Sequence, residues 1–203
     1  MSTIEEKIEY FNSRGHRWDE IVGNNGERRS LIASVFGRIR LEPGQRVLDA
    51  GCGNGVLFPF IEEKIGPDGE LSALDAAPSM LERARSLYPD YRNITFMQGR
   101  LETAELSAEH YDVILCFSII PHVDDIPASL ANMKRALRSD GLLYIFHLSD
   151  TKSLNAFHGS LDGPVKHDML PEREEMLLLL ERAGFSVVTY LDEPGLNFMQ
   201  CRA

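Results

Sequence analysis

Residues 47–57 read Val-Leu-Asp-Ala-Gly-Cys-Gly-Asn-Gly-Val-Leu, an apolar run ending in the carboxylate of Asp49 and opening into Gly51, Gly53 and Gly55. Val56, Leu57, Phe60 and Ile61 then resume an apolar pattern, so the order is strand, tight turn, helix. Glycines at such a crossing allow positive φ and remove the side chains that would hold a ligand off the backbone. The helix start adds unpaired N–H groups and a partial positive charge. The chemistry this implies is the holding of the polar or anionic part of a nucleotide-like cofactor. A second carboxylate, Asp75, lies twenty residues past Gly55 at the end of another apolar run, where an acid holds a ribose hydroxyl pair. An unligated turn is the alternative for the glycines, and the two acids in register weigh against it.

Proton-handling candidates are His122, in the loop after the apolar run 111–117, then Tyr10, His16 and His147. For His122 a loop histidine without a chemical role stays open beside the catalytic reading. His147 falls in a buried run and reads as a core histidine. His147, His158, His167, Asp162 and Asp168 lack the close spacing of a metal site, so no metal is expected. Phe11 and Trp18 form either an aromatic lid, favourable to a cation, or a packing face of the first helix.

These residues need a scaffold, and the hydrophobic periods supply one. Strands are expected at 46–49, 70–75, 93–97, 111–117 and 142–148, with a terminal hairpin of 185–191 and 196–202 around Asp-Glu-Pro-Gly. The last strand therefore runs antiparallel. Helices are expected at 27–40, from Val56 or Leu57 to the turn at Gly66, from Pro78, around Pro127, and from Pro171 to Gly184. Ser2 and Glu5 have capping-box spacing before Ile4, Ile8 and Phe11 in an opening helix. Residues 150–170 show no clear period. The fold class is α/β, a doubly wound, seven-stranded, mostly parallel sheet. Ligands bind such sheets at the carboxyl ends of the strands, so Asp49, Asp75, 99–102 and 116–122 should converge on one edge.

The chain has 203 residues and a formal charge of −10, from 21 Lys and Arg against 31 Asp and Glu. One domain is expected. A surface of this sign repels phosphate backbones, which disfavours nucleic acid as a partner. Cys52, Cys116 and Cys201 are odd in number and lack C-x-x-C spacing, as in a reduced compartment. No signal-peptide core and no apolar run of the roughly 20 residues a bilayer requires is present. A cytoplasmic, non-membrane protein is expected.

Four segments in order resemble the class I S-adenosylmethionine-dependent methyltransferases of small-molecule type. They are residues 47–57; Leu74-Asp75 with Pro78-Ser79-Met80; Tyr111-Asp112-Val113-Ile114; and Leu137-Arg138-Ser139-Asp140-Gly141-Leu142. Trp18-Asp19 resembles the N-terminal cap of such proteins, and the terminal hairpin their reversed last strand. The resemblance implies a Rossmann-like methyltransferase domain over 1–203, with a helical cap at 1–42 and a core at 43–203 carrying a substrate-side insertion at 150–170. It implies S-adenosyl-L-methionine as cofactor, held by Asp49, Gly51, Cys52, Gly53, Asn54, Asp75, Ala76, Arg100, Leu101, Glu102, Cys116 and Phe117. Phe11, Trp18 and His122 would face the acceptor, with His122 as general base. Arg100 stands where the family often has an acid that reads adenine, and a guanidinium cannot accept that hydrogen bond. Either Glu102 replaces it or the contact is missing.

The loop 117–122, Phe-Ser-Ile-Ile-Pro-His, is unlike the Asn-Pro-Pro-Tyr type, which disfavours the amino and amide acceptors of nucleic acids and proteins. The expected reaction is in-line methyl transfer to a small molecule; a homodimer is left open. Two alternatives stand beside it. One is a cofactor-binding protein without catalysis. The other is a nicotinamide-dependent oxidoreductase, which calls for Gly-x-Gly-x-x-Gly and no acid two residues before the first glycine.

Overall fold

A computed structural model describes residues 3–21 and 25–203. Seven strands form one sheet: β1 (Arg46–Ala50), β2 (Glu70–Asp75), β3 (Ile94–Gln98), β4 (Tyr111–Phe117), β5 (Leu137–His147), β6 (Ser186–Glu193) and β7 (Leu196–Arg202). Their order is β3-β2-β1-β4-β5-β7-β6, with β7 antiparallel to both neighbours and the other pairings parallel. The strand order reverses between β1 and β4, and a crevice opens at that switch point.

Strand β4 shows why the sheet is buried on both faces. Ile114 and Cys116 enter a core with Leu130 and Met133 of α6 (Ile126–Ala136) and Met176 and Leu180 of α8 (Arg173–Arg182). Val113, Leu115 and Phe117 enter the opposite core, with Ile32 and Phe36 of α3 (Gly26–Phe36), Ile61 of α4 (Phe58–Ile65) and Leu81 of α5 (Pro78–Leu87). A period of two delivers alternate side chains to the two layers. Among the described residues no helix is long and apolar enough to cross a membrane.

The cap consists of α1 (Ile4–Asn12), a 3-10 turn at Gly15–Arg17 and α2 (Trp18–Ile21). No residue of α1 is fully buried, so polar contacts dock it. The Ser79 hydroxyl donates to the Asn12 carbonyl at 2.6 Å, and the Ser79 amide donates to Asn12 Oδ1 at 3.0 Å. Asp19 accepts from Asn54 at 2.6 Å and from Arg83 at 2.9 Å, tying the cap to the glycine loop and to α5.

Several expected boundaries move. The capping box is Thr3 with Glu6, one residue later than Ser2 with Glu5; Ser2 lies outside the described residues. The second helix ends at Phe36 rather than 40, and β5 begins at Leu137 rather than 142. Residues 150–170 contain α7 (Thr151–Ser160), where an aperiodic segment was expected. Asp150 caps it by accepting from the Ser153 amide at 2.9 Å, and only Thr151 and His158 are fully buried along it. Two buried positions leave almost no amphipathic stripe to read.

Candidate active site

The floor of the site is the turn after β1. Gly51 and Gly53 take φ values of 74° and 53°, a region that a Cβ disfavours. A Cβ on Gly51 would also meet Ile119 Cγ1 at 2.5 Å. The amides of Gly51 and Cys52 both donate to the Leu74 carbonyl, at 2.8 and 2.9 Å. The Gly53 amide donates to Asp75 Oδ2 at 2.8 Å, and the Ala77 amide to Oδ1 at 2.8 Å. The loop therefore spends these amides on its own shape and on β2. Burial raises the Asp75 carboxyl above its usual range, opposed by the backbone donors Ala77 and Gly53. Each carboxylate oxygen keeps a lone pair for a further donor.

Asp49 and Cys116 lie behind this floor rather than at its surface. Asp49 is 1% exposed, its Oδ2 has no hydrogen-bond partner among the described residues, and burial, with the Asp75 charge second, pushes its carboxyl up to about 8. The Cys116 thiol is fully buried 3.4 Å from Met133 Sδ, and burial raises it far from thiolate formation.

Above the floor lies a cavity of about 510 Å³. Gly51, Cys52, Gly53, Asn54, Asp75, Ala76, Arg100, Leu101, Glu102, Phe117, Phe11, Trp18 and His122 all reach it, so the topology gathers these sequence candidates onto one surface. At the end beyond β3, Asn132 Nδ2 fixes the loop by donating to the carbonyls of Leu101 and Ala104, at 2.9 and 3.0 Å. Glu102 Oε1 accepts from the Asp124 amide at 3.2 Å and lies 3.6 Å from Arg100 Nη2, while Arg100 Nε stays buried without a partner.

Arg28 also reaches the cavity, a residue that the sequence did not single out. Its Nε is buried and unpartnered, it has no acidic partner among the described residues, and burial presses its guanidinium below the usual range. The guanidinium carbon stands 5.5 Å from the centre of the Phe117 ring. A desolvated, unpaired cation is costly in a protein alone. It fits a site whose ligand brings a carboxylate.

The other end of the cavity holds His122. Its ring packs edge-on against Phe11, with centroids 4.9 Å apart, and Phe11 packs edge-on against Trp18 at 5.6 Å. His122 Nδ1 lies 2.7 Å from Asp168 Oδ2, and Lys7 Nζ lies 2.6 Å from Asp168 Oδ1 and 2.7 Å from Asp124. His158 Nδ1 donates to the Asp168 carbonyl oxygen. His147 is buried opposite Asn197 in the β5–β7 ladder but also reaches the cavity; burial, then the nearby His122, lowers its pKa to about 3. Burial likewise lowers the His158 imidazole. Tyr10 lines the same cavity, whereas His16 does not. Among the described residues no group of three His, Cys, Asp or Glu side chains is arranged to hold a metal ion.

A methyltransferase-domain family model matches residues 47–141, from the floor strand to the turn within β5. A solved S-adenosylmethionine-dependent methyltransferase of Aquifex aeolicus superposes with a TM-score of 0.72, at 20% identity over 94% of this chain and 97% of that one. Residues 47–141 thus carry a methyltransferase domain, and the chain as a whole has the fold of an S-adenosylmethionine-dependent methyltransferase. A ubiquinone biosynthesis O-methyltransferase of Rickettsia akari is 30% identical over 169 residues, covering 77% of this chain and 65% of that protein. A malonyl-[acyl-carrier protein] O-methyltransferase of Acetivibrio thermocellus is 32% identical over 97 residues, 48% of this chain and 33% of that one. The chain thus spans about one to two thirds of the length of these curated relatives. The methyltransferase family also accounts for the reversed β7 between β5 and β6, which the 3-2-1-4-5-6 order of dinucleotide-binding sheets lacks. The nicotinamide alternative is thereby set aside.

The residues fit the family's cofactor. Asp75 offers a carboxylate to a ribose, Arg28 an uncommitted cation to a carboxylate, and the Leu101 amide makes no hydrogen bond among the described residues.

Proposed function

We propose that this chain transfers the methyl group of S-adenosylmethionine to a small, largely apolar acceptor. When bound, the cofactor supplies an electrophilic methyl carried on a sulfonium. Asp75 takes the ribose hydroxyls through charge-assisted hydrogen bonds, Leu101 and Glu102 border the adenine, and Arg28 pairs with the methionine carboxylate. Gly51 and Gly53 keep the floor bare so that a ligand can approach the backbone. Asp49 sits beneath them and shapes the turn. Phe117 and Trp18 give the sulfonium π faces.

The observation that carries this reading is the continuity of one cavity from Asp75 and the glycine floor to His122. Methyl donors of this kind are already activated, so the protein's work is alignment and exclusion of water. Ile4 and Ile8 of α1 and Leu154 and Phe157 of α7 line the acceptor end, which makes it apolar and of metabolite size. Lys7, the cation at that end, is already engaged by Asp124 and Asp168, so an acceptor with a strong anionic group is disfavoured. His122 serves as the base for an acceptor that must lose a proton. The net negative surface fits a metabolite better than a nucleic acid.

The test is transfer of label from methyl-labelled S-adenosylmethionine into the small-metabolite fraction of a cell extract, with His122→Gln in parallel. Label in that fraction, strongly reduced by the substitution, is expected. Binding of the cofactor with no transfer to any fraction would instead favour a catalytically silent binding protein.

A further inference from the structure

Three imidazoles, His122, His147 and His158, face one cavity, yet their surroundings differ. Among the described residues His147 has no charged partner in hydrogen-bond contact, and both its nitrogens are buried. His158 spends Nδ1 on a backbone carbonyl. Only His122 is joined to a carboxylate, and that carboxylate, Asp168, is 3% exposed. Its two oxygens are divided: Oδ2 to His122 and Oδ1 to Lys7. His122 Nε2 makes no hydrogen bond among the described residues.

We propose that Asp168 is a positioning residue for the methyltransferase reaction, fixing the His122 proton on Nδ1 so that Nε2 presents its lone pair to the acceptor, and that Lys7 of the cap sets Asp168 in that place. A carboxylate accepts hydrogen bonds and cannot donate them when ionised. The His122 nitrogen facing it must therefore carry the proton, as hydrogen bonding at one ring nitrogen sets the role of the other. Burial would raise the Asp168 carboxyl, but the bonds from His122 and Lys7 outweigh it and hold the group below its ordinary range, ionised throughout the neutral region. When the acceptor gives up its proton, the proton goes to Nε2 and the electron pair stays on the acceptor atom. The resulting imidazolium faces Asp168.

Lys7 extends the argument to the cap. It lies on α1, whereas Asp168 follows α7 and His122 follows β4. Docking of α1 therefore completes the acceptor wall, through Ile4, Ile8 and Phe11, and the support of the base in one event. Both Lys7 contacts hold it in place: burial lowers its ammonium, and the bonds to Asp124 and Asp168 reverse this and raise it.

This inference rests on the methyltransferase reading for its purpose but not for its test. Ring-nitrogen NMR of the labelled full chain at mildly alkaline pH reads the tautomer of each histidine; the His122 signals are identified by their loss in His122→Gln. The wild type should show His122 protonated at Nδ1 and bare at Nε2. Asp168→Asn should lose that pattern, and Lys7→Met should shift it toward an average of the two tautomers, while the other histidines stay in place. A wild-type His122 carrying its proton on Nε2 overturns the proposal without any variant, and so does an unchanged His122 pattern in a folded Asp168→Asn. Failure of methyl transfer leaves these spectra untouched, so the two readings fail separately.

Discussion

The Asp75 carboxylate holds the Gly53 amide at 2.8 Å, so the acid after β2 and the glycine turn after β1 are one hydrogen-bonded unit. The same carboxylate that would grip a ribose also shapes the floor on which the rest of the cofactor lies. Asp75→Ala should therefore weaken S-adenosylhomocysteine binding by about 1–3 kcal/mol from lost charged hydrogen bonds. Calorimetric titration measures this, and an unaltered Kd would contradict the assignment.

Arg28 gives a sharper contrast, because one ligand carries the group it should hold and another lacks it. Arg28→Met should cost roughly 1.5–3 kcal/mol in binding S-adenosylhomocysteine, the range for hydrogen bonds to a charged group. Methylthioadenosine, which has no carboxylate, should bind the variant and the wild type alike. Equal losses for both ligands would place Arg28 elsewhere in the site.

Asp49 makes a prediction about stability. Its native carboxyl is pushed up to about 8, first by burial and then by the Asp75 charge, well above the ordinary value of about 3.9 in an unfolded chain. Between these values the native state binds a proton that the unfolded state has released, so stability falls as pH rises through that window. Asp49→Asn removes the titration and should flatten the slope, with denaturant unfolding as the measure. A steeper decline in the variant would argue against a protonated Asp49.

Lys7 and Asp168 act in opposite senses to each other. The Asp168 carboxyl lies below its unfolded value, so its contribution is present above that value and fades as pH falls through the native one. The Lys7 ammonium is raised, so its contribution is full below the unfolded value and fades as pH rises through the native one. Lys7→Met leaves Asp168 with one partner and should cost about 1–3 kcal/mol at neutral pH. The loss should shrink once acid protonates Asp168; urea unfolding at the two conditions tests it.

What the sequence disclosed and what it hid follow from the range of the interactions. The glycine turn is local, with strand, turn and helix signals within a dozen residues, and the strand pattern carried Asp75 and Leu101 to the same edge. The His122–Asp168–Lys7 group is not local: three separate segments contribute one residue each, and no spacing rule joins them. Asp168 sits after α7, a helix that buries only Thr151 and His158 fully and so gave no periodic signal. Arg28 is one charge at a helix start in the sequence; its burial and its lack of an acidic partner among the described residues are what distinguish it.

The most direct measurement is a crystal structure of the full chain with S-adenosylhomocysteine. The account predicts ribose hydroxyls on Asp75, the carboxylate at Arg28, and the thioether sulfur opening toward His122. A ligand lying elsewhere on the protein, or one reversed so that its adenine meets Arg28, would contradict it.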